Sequence, residues 1–421
     1  MATEAGHPAW FLTAAQGFVG DRSNERTATG FTRHGLSIKA SFVANRPPQP
    51  SKLWVHCPEA VHVDTPRVIC VAGDLILFRV DISPDCVPDS RFSTRMDCDY
   101  FIYHADPNLR VLTLLTDMRT RCFEDTEVGI LSRGLHHYTI AALVPCPLSF
   151  HKYELHLFHS ETSSWTSMEL PVAKPQQEFD WVIPFNTDLY YHTTSNVITI
   201  GGEYGTIGWV DLWRGILFCD VLREKPTLSG IPLPLPMEQI TSGHHLGRAM
   251  DCRGIAFVNG CLKFVQLDII PSYDTDNMDP ETGYPTLLVD DWAISSWINP
   301  TMENSYKAWG EPECTVQAAG ITIKTDMISH LTGVLQLASD ESFADYLQHL
   351  VVSDPSPSLD DDGVVYLIAR EKLCHQKSWI LALDMNTKKL QSVVPFGIVK
   401  VEDPSDSDFV KYCTGRSSSN T

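Results

Sequence analysis

Pairs of short β-strand patterns recur along the chain, and they constrain its fold more than any other feature of the sequence. The clearest pair lies in Tyr153 to Pro171, where two segments with alternating apolar residues flank a polar turn. Alternation with period two on both sides of a short polar turn predicts a β-hairpin. Looser versions are found at Tyr100 to Leu115, Trp292 to Trp309 and Trp379 to Val394. The sequence therefore predicts a protein built from antiparallel hairpins.

Glycine residues open several further strand patterns. These patterns are Gly73 to Val80, Gly134 to Ile140, Gly215 to Val221, Gly254 to Val258 and Gly363 to Ile368. A glycine at the start of a strand supplies a turn, or lets backbones approach closely where inner strands crowd round a common axis. Each of these glycines therefore marks the start of a repeated sheet.

One repeat divides into four strands, at Glu127 to Ser132, Tyr138 to Val144, Lys152 to His159 and Trp165 to Leu170. Four antiparallel strands are the content of one β-propeller blade. We therefore predict an all-β fold, a β-propeller-like ring of four-stranded antiparallel blades. The glycine-led segments, together with a further sheet from the apolar segments before Gly73, indicate about six blades, with five as the alternative.

Residues 1–412 are predicted to form this ring as a single domain, closed by pairing of a strand from one terminus with strands from the other. The short polar tail at 413–421 is predicted to be disordered. Turn-forming and charged residues predict loops at Tyr273 to Pro285 and at Ser353 to Asp362. Apolar residues at helical spacing in Lys324 to Leu350 predict a short helix or two as minor decoration.

An excess of acidic residues limits the partners of the chain. Asp and Glu number 52 against 32 Lys and Arg, which gives a formal net charge of −20. A field of this sign repels phosphate backbones and anionic lipids, so we expect neither nucleic acid nor a membrane as a partner. The first residues lack the pattern of a signal peptide, and the cysteines are dispersed among apolar strand residues. A cytoplasmic or nuclear location is therefore expected, with the oligomeric state left open.

No pattern that is typical of a metal site or a catalytic centre stands out. His151, His156 and His159 come nearest to a metal cluster, but His156 and His159 would point to opposite faces of an extended strand. The glycines in Gly201 to Gly208 precede a strand pattern, so they predict a tight turn instead of a phosphate-binding loop. We therefore predict no catalytic residue, no metal and no cofactor. The absence of a Gly-x-Ser-x-Gly motif favours a protein without enzymatic activity but leaves that question open.

Trp209, Asp211, Trp213 and Arg214 form the candidate binding surface. Tryptophan and arginine are enriched in binding hot spots, and alternation along a strand places Trp209, Asp211 and Trp213 on one face. The alternative is a structural role, in which the tryptophans pack inside a blade and a buried Asp211 accepts backbone hydrogen bonds.

Three arginines, Arg133, Arg214 and Arg253, each precede a glycine that opens a strand pattern. Such a repeat has two interpretations. The arginines line a central channel of the ring, or they lie at solvated turns of the repeat.

Several segments share their pattern with a known family. They are Leu53 to Pro58, Tyr153 to Ser167, Gly208 to Leu217, Ile231 to Met237, Arg253 to Val258 and Pro355 to Asp360. Over roughly residues 8–413 the chain closely resembles the plant, largely grass-expanded, domain-of-unknown-function 1618 family (DUF1618). The resemblance implies a soluble, β-rich plant protein, and it implies no reaction and no catalytic residue. The hairpin at Ser160 to Trp165 is also similar, less closely, to F-box-associated and kelch-type propellers, which recognise partners for ubiquitin ligases.

A repeated scaffold without a catalytic constellation favours a non-enzymatic protein-protein interaction module that binds a protein partner through its loops. The alternative hypothesis is a propeller that binds a small ligand or a glycan, with weak hydrolase activity at the same place. Exposed aromatic residues and carboxylates near the channel would serve that second function.

Overall fold

The computed structural model of the chain describes residues 10–85, 98–118, 123–134, 137–146, 152–171, 192–234, 249–278, 280, 285–303, 306–323, 343–360, 363–372, 377–398 and 412–416. Strands account for most of these residues, and the helices are short. Among the residues so described, no helix is both long and apolar enough to cross a membrane. The all-β fold class predicted from the sequence is confirmed.

Strand β1 (Trp10–Ala14) precedes six sheets of four or five strands in the described chain. Sheet 1 contains β2 (Phe18–Val19), β3 (Ala28–Phe31), β4 (Ser37–Val43) and β5 (Lys52–His56). Sheet 2 contains β6 (His62–Val63), β7 (Arg67–Ala72), β8 (Leu75–Ser83), β9 (Cys98–His104) and β10 (Leu112–Leu114). Sheet 3 contains β11 (Val128–Ser132), β12 (Tyr138–Pro145), β13 (Lys152–His159) and β14 (Ser164–Pro171).

The second half of the chain repeats this arrangement. Sheet 4 contains β15 (Asn196–Gly201), β16 (Thr206–Asp211), β17 (Gly215–Asp220) and β18 (Leu228–Pro232). Sheet 5 contains β19 (Arg253–Val258), β20 (Cys261–Met278), β21 (Pro285–Asn299) and β22 (Cys314–Gln317). Sheet 6 contains β23 (Thr322–Ile323), β24 (Val351–Pro357), β25 (Val364–Arg370), β26 (Lys377–Asp384) and β27 (Lys389–Ile398). Helices α1 (Ala249–Cys252) and α2 (Phe343–Gln348) precede β19 and β24.

Sheets 3, 4 and 5 are antiparallel meanders in which each strand pairs with the next along the chain. In sheet 3 the register pairs Phe158 with Trp165, so the polar turn lies where the alternation of the sequence predicted it. The four strands predicted for this repeat are confirmed to within two residues at each end. The predicted tight turn between β15 and β16 contains Gly202 and Gly205, and Gly201, Gly202 and Gly205 have positive φ.

Hydrophobic clusters join each sheet to the next. One cluster combines Leu77 of sheet 2 with Ile140 of sheet 3, and the next combines Leu155 of sheet 3 with Leu217 of sheet 4. Further clusters join sheets 1 and 2, sheets 4 and 5, and sheets 5 and 6. A last cluster packs Trp10 of β1 against sheet 6. The described sheets therefore form a β-propeller-like ring, while the predicted number of blades stays a prediction.

Strand β19 of sheet 5 lies beside β24 of sheet 6, and Gly254, which opens the strand pattern of β19, permits this close approach. A Cβ atom on Gly254 would lie only 1.7 Å from the carbonyl oxygen of Pro355 in β24. Only a residue without a side chain fits between backbones at this distance. The glycine that opens β19 therefore allows sheets 5 and 6 to approach each other at the centre of the ring.

The two ends of the described chain pair with each other. Strand β28 (Tyr412–Arg416) is antiparallel to β1, with Leu12 opposite Thr414. The predicted pairing of the two termini is therefore found. The prediction of a disordered tail from Cys413 is wrong for residues 413–416, because these residues form backbone pairs with β1. Residues 417–421 lie outside the described part of the chain.

Parts of two predicted loops, Tyr273 to Met278 and Ser353 to Pro357, are strands in the structure. Strand β20 continues to Met278 and pairs with β21, although Tyr273 to Pro285 was expected to be a loop. Strand β24 includes Asp354 and Pro355, and its pairing with β25 has an irregularity between Ser353 and Ser356. Proline is tolerated at such an interruption because no ladder hydrogen bond is required from its nitrogen. The helical spacing of 324–350 corresponds to α2 in its last part, and residues 324–342 lie outside the described residues.

Candidate functional site

The turn between β16 and β17 contains the four residues singled out in the sequence. Asp211, the last residue of β16, organises the turn with its carboxylate. Oδ1 accepts the Trp213 backbone N–H at 2.9 Å, and Oδ2 accepts the Thr193 backbone N–H at 2.9 Å. An aspartate that accepts a backbone N–H two residues further on stabilises a tight turn. Asp211 therefore fixes the backbone from which Trp213 and Arg214 extend.

Trp209 is a core residue. Its side chain is fully buried between sheets 3 and 4, and its indole N–H donates to the Glu127 carbonyl at 2.8 Å. Trp213 has a different position, because β16 ends at Asp211 and the alternation of the strand does not extend into the turn. Trp209 and Trp213 therefore do not share one binding face, although the sequence placed them together.

Arg214 lies in the protein interior, with 3% of its surface exposed. Its Nη1 atom lies 3.4 Å from Oδ2 of Asp211, which forms a buried ion pair. Its Nε atom is also buried, and it has no hydrogen-bond partner among the described residues. The pair thus leaves one of the arginine donors unused.

Arg253 reaches the same turn from the neighbouring sheet. Its Nη1 atom donates to the Leu212 carbonyl at 3.1 Å, and its Cζ atom lies 4.5 Å from the centre of the Trp213 ring. Burial lowers the pKa of Arg253 to about 10, and the opposing attraction of Cys252, Asp268 and Asp211 only partly offsets this effect. The Arg-Gly repeat of the sequence includes Arg253, but its position beside Trp213 was not predicted.

The residues around Asp211 form a cluster with Trp213, Arg214 and Arg253. His192 also belongs to this cluster and was not predicted from the sequence. Its ring is buried, it contacts the edge of Tyr153 at 6.2 Å between centroids, and neither ring nitrogen reaches hydrogen-bond geometry with a described residue. Burial lowers the pKa of His192 to about 4, with Asp211 and the Trp209 backbone opposing that effect and Arg214 adding to it. The ring is therefore neutral at pH 7. No local sequence signal distinguishes His192, because its neighbours in the fold come from other strands.

Arg133, the third arginine of the Arg-Gly repeat, lies apart from this cluster. It is partly exposed and forms an ion pair with Glu161 at 2.7 Å. The three arginines therefore do not share a site, and only Arg214 and Arg253 come together.

A second candidate surface is the distal part of the β20–β21 hairpin. Strand β19 pairs with β20 only over 261–266, and β22 pairs with β21 only over 293–296. Beyond these positions the two strands continue as a two-stranded extension over 267–278 and 285–292, here called the ribbon. Its solvent-facing side chains include Ile270, Met278 and Leu288, which are 57%, 52% and 47% exposed.

Helix α2 and the residue after it hold the base of the ribbon. Gln348 Nε2 donates to the Asp290 carbonyl at 2.8 Å, and His349 Nδ1 donates to the Val289 carbonyl at 2.6 Å. The Trp292 indole N–H donates in turn to the Leu347 carbonyl at 2.9 Å. These hydrogen bonds attach the base of the ribbon to the ring. The distal part of the ribbon therefore extends from a fixed base.

The ribbon also carries a strong negative charge. Its residues 267–278 and 285–292 contain no Lys or Arg, and their acidic residues are Asp268, Asp274, Asp276, Asp290 and Asp291. Exposed apolar side chains that lie together and a field of one sign are each features of surfaces that bind partners. The ribbon therefore combines two properties of a recognition surface.

Other candidate sites are poor in the described part of the chain. A groove between sheets 5 and 6, lined by Lys263, Glu313 and Asp360 among others, has a volume of about 40 Å³. That space holds a few water molecules and is far below the ~300 Å³ of a typical ligand pocket. Among the described residues no three His, Cys, Asp or Glu side chains are placed to share a metal ion.

Comparisons with solved structures give low similarity over most of the chain. A mutant of AofleA from Arthrobotrys oligospora, with three arginines replaced by alanine, aligns with TM-score 0.36 and 8% identity over 98% of this chain and 91% of that chain. The dihydro-heme d1 dehydrogenase NirN in complex with DHE aligns with TM-score 0.31 and 10% identity, over 94% and 77%. A GH43 β-1,3-galactosidase with galactodeoxynojirimycin gives TM-score 0.29 and 9% identity, over 81% and 98%. Similarity at this level carries no functional inference.

Comparison with curated proteins gives no match to the chain. Comparison with protein families does give a match. Residues 209–366 match the family described as "Protein of unknown function (DUF1618)". The matched segment begins at Trp209 within β16 and includes the β16–β17 turn, Arg253 and the ribbon. The family resemblance seen in the sequence is therefore confirmed over residues 209–366.

Proposed function

We propose that this protein is a non-enzymatic interaction module that binds a partner protein through the ribbon. The observation that carries the proposal is the exposure of Ile270, Met278 and Leu288 on a ribbon without any basic residue. The partner is a protein segment in which Lys or Arg residues alternate with aliphatic residues. Its charges complement the ribbon, and its apolar side chains cover those that the ribbon exposes.

Charge also argues against other occupants of the ribbon. Nucleic acid and anionic membranes carry the same sign as the ribbon and are repelled. A second copy of the chain carries a net charge of −20, so that pairing of two ribbons brings like charges together. A basic protein segment is the occupant that both the charge and the apolar side chains support.

The test is selection from a library of random peptides displayed on phage, with the full-length protein as bait. We expect the selected peptides to be enriched in Lys and Arg beside Leu, Ile or Val, and to bind more weakly as salt screens the charges. The combined variant Ile270→Ser and Leu288→Ser is expected to lose binding. Because both side chains are exposed, this variant should fold normally.

The matched control replaces exposed apolar residues elsewhere in the chain. Phe31 and Val61 are 65% and 58% exposed and lie outside the ribbon, so Phe31→Ser with Val61→Ser should keep full binding. Peptides without basic enrichment, or equal loss of binding in both double variants, would contradict the proposal. Sedimentation that shows a dimer lost in the ribbon variant would assign the surface to a second copy instead.

A further inference from the structure

One edge of the Arg253 guanidinium is buried, and no residue in the described part of the chain accepts a hydrogen bond from it. Arg253 is 1% exposed, and its Nη1 atom donates to the Leu212 carbonyl. Its Nε and Nη2 atoms are shielded from solvent and have no partner among the described residues. In the planar guanidinium these two atoms carry parallel N–H bonds on a single edge, and this edge matches the two oxygens of a carboxylate.

Two aromatic rings lie near the planar faces of the Arg253 guanidinium, and two aspartates act on it at longer range. The Arg253 Cζ atom lies 4.5 Å from the Trp213 ring centre and 5.9 Å from that of Phe264. Asp211 and Asp268 attract Arg253 electrostatically, but neither accepts a hydrogen bond from Nε or Nη2. The oxygens of Asp211 are already used by two backbone N–H groups and by Arg214.

Unused donors are concentrated in this cluster. The Nε atom of Arg214, whose Nη1 atom pairs with Asp211, is likewise buried without a partner among the described residues. Each buried donor without a partner costs on the order of 1–3 kcal/mol, and native proteins keep few of them. Several in one place indicate a site whose acceptor is a separate molecule.

We propose that the Nε and Nη2 edge of Arg253 binds the carboxylate group of a small organic acid, with Arg214 as a second cationic neighbour. A carboxylate carries one negative charge, whereas a phosphate group carries up to two beside the fixed charge of Asp211. The aromatic rings of Trp213 and Phe264 also suit the carbon atoms next to a carboxylate better than they suit a phosphate with polar oxygens on all sides.

The first test observes arginine Nε–H signals by NMR in the full-length wild-type protein. Acetate and succinate are the probes, inorganic phosphate is the comparator, and sodium chloride controls for ionic strength. Because the Arg253 edge is enclosed, samples are equilibrated for hours before measurement. We expect a protected Nε–H signal to shift with acetate or succinate, with a Kd on the order of 1 mM, and not with chloride. The absence of any carboxylate-dependent signal would overturn the proposal, and a stronger response to phosphate would replace the carboxylate with a phosphate ligand.

The second test uses Arg253→Lys, which keeps the charge but removes the bidentate edge. Acetate binding should weaken about tenfold or more, while Arg223→Lys, a change at an exposed arginine at the opposite end of the β16–β17 hairpin, should bind acetate as the wild type does. Equal binding by folded Arg253→Lys and wild type would exclude this edge as the site. If Arg253→Lys fails to fold, the wild-type titration alone decides.

Discussion

The guanidinium of Arg253 lies 4.5 Å from the centre of the Trp213 ring, and this contact joins sheet 5 to the turn of sheet 4. The same arginine donates to the carbonyl of Leu212, so the turn is held through both its backbone and its side chain. A cation over the face of an indole is attracted by the electron density of the ring, and the attraction grows where water is excluded. The contact therefore stabilises the packing of sheet 5 against sheet 4, and it also forms part of the candidate ligand site.

Replacement of Trp213 by alanine should destabilise the protein by about 2 kcal/mol or more, since a buried cation loses the aromatic face beside it. Urea unfolding at pH 7 measures this change. Tyr204→Ala is the control, because Arg223 lies 3.8 Å from the Tyr204 ring centre at an exposed place and its loss should alter stability little. Equal effects of the two substitutions would show that burial does not strengthen the contact.

The ion pair of Asp211 and Arg214 permits a second comparison. Replacement of Asp211 by asparagine should cost about 3–5 kcal/mol, because Arg214 is then left charged and buried without its partner. The exposed pair of Asp220 and Arg223 has the same spacing along the chain. Asp220→Asn should therefore change the free energy of unfolding far less. A small effect of Asp211→Asn would mean that another group neutralises Arg214.

Local alternation predicted the strands of the ring where both partners of a hairpin are close in sequence. Sheet 3 shows this well, since β11 to β14 follow the predicted segments closely. Pairing with distant residues overrode local composition elsewhere. Strand β28 pairs with β1 from the opposite end of the chain, and the acidic, turn-forming residues of β20 are held extended by Leu288 and its neighbours in β21. Composition carries no information about such distant partners.

The candidate site was predictable only in part. Asp211 and Arg214 were selected from their own segment, where the turn and its residue types are local properties. Arg253 contacts this turn from 41 residues away, and His192 approaches it from before β15. The position of Trp213 was predicted by extending strand alternation beyond the point where β16 ends. The packing of neighbouring sheets, and not the pattern within one strand, brings these residues together.

Gly254→Ala tests the close approach of sheets 5 and 6. The added methyl group would lie 1.7 Å from the Pro355 carbonyl oxygen, so one of the two strands must move. We expect a loss of about 3 kcal/mol or more, measured by urea unfolding. Gly320→Ala is the control, because a Cβ there has no atom within 4 Å among the described residues. A stable Gly254→Ala protein would show that the two sheets separate at little cost.

His192 should make the stability of the protein fall on acidification. Its pKa is about 4 in the folded protein, compared with about 6.5 for an unfolded chain, because burial disfavours the charged ring. Between these two values the unfolded chain binds more protons, so the contribution of His192 to stability is complete above pH 6.5 and declines as the pH falls towards 4. From pH 7 to pH 5 the expected loss from this group is about 2 kcal/mol.

The variant His192→Phe isolates this contribution, because phenylalanine fills the buried site with a ring that does not titrate. Urea unfolding at pH 7 and at pH 5 should show a smaller decrease in stability for His192→Phe than for the wild type, by about 2 kcal/mol. The variant His34→Phe changes an exposed histidine and should keep the wild-type decrease. An unchanged decrease in His192→Phe would mean that other groups cause the acid sensitivity. A larger effect of His34→Phe would place the sensitivity at the surface and not in the cluster around Asp211.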